Sequence, residues 1–183
     1  MKGKLMIVSG PSGVGKGTLV KALKARRADI AESVSCTTRA PREGEKHGRE
    51  YFFLSKEEFL RRIEEGDFLE YDEHFGNFYG TPKSFVLETL KEKSVILEID
   101  VVGALNAKKI YPESVLVMIA PPSVEELKRR LTGRGTETAE SVENRLSRLE
   151  YELSQKDKYD YVVINDDLEK AINELEEILI SAR

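Results

Sequence analysis

The residues best suited to chemistry stand near the start of the chain, in Gly10-Pro11-Ser12-Gly13-Val14-Gly15-Lys16-Gly17-Thr18. They follow the apolar run Leu5–Val8 and open a segment where Leu19, Val20 and Leu23 recur at helical spacing. Glycines spaced this way let backbone N–H groups converge on one point, and the N-terminus of the next helix adds positive potential there. Such a loop captures the phosphates of a nucleotide, with Lys16 reaching the β- and γ-phosphates. A tight strand-to-helix connection is the plainer alternative; glycine spacing, lysine and context together argue against it. The usual pattern sets Ser or Thr directly after the lysine to meet Mg²⁺, whereas here Gly17 precedes Thr18. Magnesium is therefore expected to be held through waters, the nucleotide phosphates and a carboxylate elsewhere. Glu98 and Asp100, at the end of the run Val95–Ile99, are the candidates.

Two arginine groups follow. Arg39 and Arg42 flank Pro41, which disfavours helix at Ala40 and helps fix the turn between them. Paired guanidinium groups suit a phosphate monoester, since each can bind two oxygens; a solvated charged loop fits the residue types equally well. Beyond Pro121-Pro122, Ser123 and Glu126 form a capping box for a helix that leads into Arg129, Arg130, Arg134, Arg145 and Arg148. Gly133 and Gly135 flank Arg134 and are expected to interrupt or hinge that helix. Arg129 and Arg148 read as solvated. Asp100-Val101-Val102-Gly103 matches the D-x-x-G element of GTPases, but no Asn-Lys-x-Asp motif accompanies it, which argues against a GTPase switch.

The elements that must position these groups are legible from periodicity. Leu5–Val8, Val95–Ile99, Val115–Ile119 and Tyr161–Ile164 are nearly continuous apolar runs, as expected for strands of a parallel sheet covered on both faces. A fifth strand is placed around Ser33–Cys36. Helical spacing recurs in Phe59, Leu60 and Ile63, in Val142, Leu146, Leu149 and Leu153, and in Leu168, Ala171, Ile172, Leu175 and Leu179. Strand–helix alternation predicts an α/β sheet with right-handed crossovers. The aromatic-rich segment from Glu50 to Thr81, with Gly76-Asn77 as a turn, predicts a small inserted antiparallel lobe.

Composition bounds the function. The chain has 183 residues, 29 Lys and Arg against 33 Asp and Glu, and a formal net charge of -4, so nothing draws it globally to nucleic acid or anionic membrane. The single cysteine, Cys36, cannot form an internal disulfide and fits a reducing cytosol. The apolar run near the N-terminus is too short for a signal peptide and no membrane span is read, so a cytoplasmic location is expected. His47 and His74 receive no role.

Beyond these readings, Ser35-Cys36-Thr37-Thr38-Arg39-Ala40-Pro41-Arg42-Glu43-Gly44-Glu45 closely resembles the S-x-T-T-R-x-P-R-x-G-E signature of guanylate kinases. The resemblance continues through Gly48–Phe53, Phe68–Tyr71, Gly76–Thr81, Leu97–Asp100, Arg134–Thr138 and Ile164–Asp166, so it covers most of the chain. It implies a P-loop NTPase fold, α/β, with a parallel sheet of about five strands flanked by helices, a small mixed GMP-binding lobe and a helical lid. A single domain over 1–183 is expected, with core at 1–32, 82–120 and 150–183, lobe at 33–81 and lid at 121–149. The implied reaction moves the γ-phosphoryl group of MgATP to GMP. ATP then falls to residues 10–18 with Asn165 and Asp166, the latter pair near the adenine. GMP falls to Ser35, Arg39, Arg42, Tyr51, Glu70, Tyr79, Thr81, Glu98 and Asp100, with Asp100 also the metal-related residue, through water. Catalytic charge falls to Lys16, Arg42, Arg134 and Arg145.

The chemistry of Glu70 and Thr81 supports a guanine reader. Guanine offers N1–H and a 2-amino group side by side, and a carboxylate accepts both; the N1 lone pair of adenine would be repelled. The Thr81 hydroxyl could donate to O6. Family members often carry glutamine where this chain has Val102, which removes a polar group there. Gly17-Thr18 resembles adenylate kinases, but the Ser35–Glu45 segment and Glu70 do not. Guanylate-kinase-like scaffold domains generally lose phosphate-cradle residues, whereas Gly15, Lys16 and the lid arginines remain here.

Overall fold

Runs of β-branched and apolar residues between glycine-marked turns build the central sheet. In the computed structural model, which describes residues 3–125, 127 and 139–181, it contains β1 (Leu5–Ser9), β2 (Ile30–Glu32), β7 (Ser94–Glu98), β8 (Val115–Ala120) and β9 (Tyr161–Ile164). Their order is β2-β7-β1-β8-β9, with β2–β7, β1–β8 and β8–β9 paired in parallel. β1 and β8 are buried along their whole length, as continuous apolar runs demand. β9 departs from that expectation: Tyr161, Val162 and Ile164 are exposed, because it closes one edge of the sheet and only Val163 is buried.

The fifth strand is Ile30–Glu32 rather than Ser33–Cys36. Cys36–Thr37 instead forms β3 of a second sheet, where backbone pairing with two other strands outcompetes any extension of β2. That sheet has the order β4-β3-β6-β5, with β4 at Phe52–Phe53, β5 at Phe68–His74 and β6 at Asn77–Pro82. β3–β4 is parallel and the other pairs are antiparallel, so the lobe is mixed. The β5–β6 turn is Phe75-Gly76, both at positive φ (52° and 76°), and Asn77 is already the first residue of β6. Positive φ at both central positions matches the twist of the flanking strands.

Helix α1 (Lys16–Arg26) follows the glycine loop, and α2 (Lys56–Glu64) starts where Ser55 accepts the N–H of Glu58. The apolar face of α2 puts Phe59 in a cluster with Cys36 and Phe68, against Phe52, Leu54, Ile63 and Phe78. The Phe59 and Phe68 rings stack with centroids 4.4 Å apart. Two helices lay outside the periodicity reading: α3 (Lys83–Thr89) and α4 (Val101–Ile110). The latter is disguised by Val101-Val102-Gly103, though Val101, Ala104 and Ala107 form a buried stripe of small residues. On α5 (Ala139–Ser154) Leu149 is buried and Leu146 and Leu153 are half-buried; on α6 (Leu168–Ser181) Ala171, Ile172, Leu175 and Leu179 are buried as expected, whereas Leu168 at its start is exposed.

The chain forms two compact units. One comprises Met1–Leu5, Asp29–Leu97 and Val102–Ser114; the other comprises Met6–Ala28, Glu98–Val101 and Val115–Arg183. The mixed sheet belongs to the first, and the glycine loop with α1, α5 and α6 to the second.

Candidate active site

In the second unit, β1 runs into the glycine loop under tight steric control. A Cβ at Gly10 would sit 2.2 Å from the Ile119 carbonyl oxygen, so only glycine lets the chain pass β8 at φ 143°. Gly15, at φ 95°, caps α1, and the first intrahelical bond runs from the Leu19 N–H to the Gly15 carbonyl. The N–H groups of the first turn of α1, before Leu19, have no acceptor within the helix, the arrangement that binds phosphate. Lys16 curls back over this loop and donates from Nζ to the carbonyls of Gly10 (2.6 Å) and Pro11 (3.0 Å). Burial lowers its pKa, opposed by the negative charges of Glu98, Glu152 and Asp100.

Asn165 closes the opposite wall. Its backbone N–H donates to the Ala120 carbonyl at 2.9 Å and its Nδ2 to the Val14 carbonyl at 2.8 Å. With Asp166, Gly13, Val14, Gly15 and Thr18 it lines a cavity of about 320 Å³. The structure thus brings Asn165 and Asp166 to the loop from the far end of the sequence.

The carboxylates at the end of β7 stand near the loop. A Cβ on Gly17 would lie 3.6 Å from both Glu98 oxygens, so this carboxylate faces the position where the usual hydroxyl would be. Asp100 accepts from Arg148 Nη2 at 3.0 Å, and the same guanidinium donates through Nε to the buried Glu152, also at 3.0 Å. Arg148 is exposed, in keeping with the sequence reading, and the structure adds that it bridges two carboxylates that both act on Lys16. An i, i+4 pairing of Arg148 with Glu152 was the available signal; the Asp100 contact has none. Among the described residues, no three His, Cys, Asp or Glu side chains converge as metal ligands.

In the first unit, β3, β4, β5 and β6 carry the second group. Ser35 accepts the Phe52 N–H through its carbonyl at 2.9 Å, which seats it beside β4. The guanidinium of Arg39 lies 5.6 Å from the Tyr51 ring centroid and 5.9 Å from that of Phe53, and Tyr51 meets Tyr79 edge-on at 6.0 Å. Arg39, Tyr51 and Tyr79 are half-buried, whereas Arg42 is exposed. Glu70 and Thr81 are register partners on β5 and β6, next to a bulge between Phe68 and Glu70. The Thr81 hydroxyl donates to Glu70 Oε1 at 2.6 Å. Thr81 is fully buried, and its hydroxyl contact holds the Glu70 carboxylate in place. Sequence gave no sign that this hydroxyl orients the carboxylate, because the contact depends on strand register.

Arg134, Gly133, Gly135, Arg129 and the Glu126 half of the capping box lie outside the described residues. Arg145 stands on α5, and its side chain is likewise outside the description.

Residues 2–182 match the family model for guanylate kinase. The chain belongs to the guanylate kinase family. It is 49% identical to a guanylate kinase of Caldanaerobacter subterraneus subsp. tengcongensis over 183 residues, covering 100% of this chain and 89% of that one. A guanylate kinase of Clostridium perfringens is 51% identical over 183 residues, which is 100% of this chain and 85% of the relative. Among solved structures, guanylate kinase from Anaplasma phagocytophilum superposes with a TM-score of 0.71 at 36% identity, covering 98% of this chain and 86% of the other. The guanylate kinase match therefore runs through the glycine loop, the arginine–tyrosine cluster and residues 126–138 alike. Among the described residues of this guanylate kinase family member, no helix is long and apolar enough to cross a membrane.

Proposed function

We propose that the protein transfers the γ-phosphoryl group of ATP to GMP, giving ADP and GDP. The observation that carries the choice of acceptor is the Glu70–Thr81 pair, a carboxylate held by a buried hydroxyl in the same lobe as Arg39, Tyr51 and Tyr79. A purine reader and a phosphate grip in one lobe describe a purine nucleoside monophosphate, and a carboxylate acceptor selects guanine over adenine.

ATP binds at residues 10–18, where the loop N–H groups and Lys16 receive its phosphates, with Asn165 and Asp166 near the adenine. GMP binds through Ser35, Arg39, Arg42, Tyr51, Glu70, Tyr79 and Thr81, with Glu98 and Asp100 completing the acceptor side. A phosphate oxygen of GMP attacks the γ-phosphorus. The new P–O bond forms as the bond from γ-phosphorus to the bridging oxygen breaks, and the electron pair leaves on the β-phosphate of ADP. No general base is needed, since the attacking oxygen is already anionic. What the protein supplies is alignment and positive charge on the equatorial oxygens, from Lys16, Arg42, Arg134 and Arg145.

Magnesium suits the oxygen donors at the loop. The Glu98 carboxylate faces Gly17 where a metal-binding hydroxyl usually stands, and Asp100 lies two residues further along. When bound with ATP, Mg²⁺ supplies charge neutralisation on the β- and γ-phosphates. A cytoplasmic location is supported by the lone, buried Cys36 thiol.

Product formation from ATP with GMP, AMP, CMP and UMP in parallel tests this reading. Turnover is expected with GMP alone at comparable concentration. Equal or greater turnover with AMP would remove Glu70 from the base site.

A further inference from the structure

Glu45 is assigned no contact with either nucleotide, yet it organises the arginine turn. Both of its carboxylate oxygens accept from Arg39 Nη2 at 3.0 Å, and Oε2 also accepts the backbone N–H of Arg42 at 2.7 Å. The Glu45 N–H returns to the Arg42 carbonyl at 3.1 Å, across a turn in which Gly44 has φ 84°. The Arg39 and Glu45 side chains are only 17% and 18% exposed, unlike an ordinary surface pair. The Arg42 N–H, and then Arg39, hold the Glu45 carboxyl below its usual range, so it is ionised throughout the neutral region.

An arginine on a loop loses much rotamer freedom when it grips a phosphate. Here the loss is already incurred. Glu45 holds one terminal nitrogen of Arg39, the Ala40 carbonyl accepts from Nη1 at 2.7 Å, and Tyr51 and Phe53 flank the guanidinium plane. A guanidinium carries five N–H donors on three nitrogens, so Arg39 can keep Glu45 and meet a phosphate oxygen together.

We propose that Glu45 is a positioning residue for the GMP phosphate: one carboxylate presets both the Arg39 guanidinium and the backbone turn that presents Arg42. The proposal deepens the reading of this lobe as the GMP site and rests on it. The negative charge of Glu45 opposes an incoming phosphate at long range. Two guanidinium groups outnumber it, and at hydrogen-bond distance the orientation of the donors decides the affinity.

Calorimetric titration of the wild type, Glu45→Gln and Glu45→Asp with GMP, and separately with guanosine, tests it. Glu45→Gln is expected to weaken GMP about tenfold, the scale of a lost charge-assisted hydrogen bond, and to leave guanosine within about twofold. Glu45→Asp keeps the charge but withdraws it by one methylene, and an intermediate loss is expected for GMP alone. GMP affinity that stays level or rises in both variants overturns the proposal, as does guanosine affinity that falls in step with GMP. Wild-type protein that binds no GMP overturns the proposed function instead.

Discussion

Gly15→Ala should destabilise the protein by about 2 kcal/mol, through two effects that can be separated. Gly15 sits at φ 95° and ψ 18°, in the left-handed region. A Cβ there costs roughly 1–2 kcal/mol, and the stiffer unfolded chain returns about 0.4–1. The same Cβ would lie 2.6 Å from Asn165 Nδ2, closer than such contacts are found. Asn165 can swing aside, but only by giving up its 2.8 Å bond to the Val14 carbonyl, a loss of about 1 kcal/mol. In an Asn165→Ala background the contact is gone and only backbone strain remains. The cost of Gly15→Ala should then fall to about 1 kcal/mol, a coupling of similar size between the two sites. Urea unfolding of the four proteins, with equal m-values as the check on two-state behaviour, measures this cycle. A Gly15→Ala protein within about 0.5 kcal/mol of wild type would refute the strain argument. Strict additivity would refute the contact.

Glu70→Gln replaces an acceptor with a donor opposite the guanine edge, so KM for GMP should rise about 100-fold while KM for ATP moves less than about twofold; equal changes in both would take Glu70 out of base recognition. Arg134→Ala should lower kcat by ~10²-fold or more, the range for a removed transition-state cation, and an unchanged kcat in steady-state assays would assign the charge to another arginine. Burial pushes the Cys36 thiol up to about 11. Its folded pKa lies above the unfolded value near 8.5, so the contribution is complete below about pH 8.5 and is lost as pH rises towards 11. Unfolding free energy should fall by about 2 kcal/mol more in wild type than in Cys36→Ala between pH 8.5 and 10.5, and parallel curves for the two proteins would place the thiol in contact with water.

Much of the fold was legible because its signals are local. All four apolar runs became strands, and Leu5–Val8, Val95–Leu97 and Val115–Ile119 are buried because a chain apolar on both faces must be covered on both faces, while Tyr161–Ile164 took the edge; the spacing of Leu19, Val20 and Leu23 put α1 directly behind the loop. The glycine loop was legible for the same reason: residue types and spacing specify positive φ at Gly10, Gly13 and Gly15 before any partner is known. The short helices α3 and α4 were not, because the seven residues of α3 span barely two turns and the ten of α4 open on Val101-Val102-Gly103, so each gives a weak period.

The sequence by itself determined which groups are present: a lysine at the mouth of a glycine loop, two arginines about a proline, and a carboxylate among aromatics. Only tertiary structure decided whom they touch. That Thr81 donates to Glu70, that Arg148 bridges Asp100 and Glu152, that Asn165 closes on Val14 and that Glu45 occupies both Arg39 and the Arg42 turn all follow from strand register and loop closure. Periodicity tells which face of an element is buried. A hydrogen bond needs two atoms within about 3 Å, and for side chains brought together from distant parts of the chain that distance is set only when the elements pack.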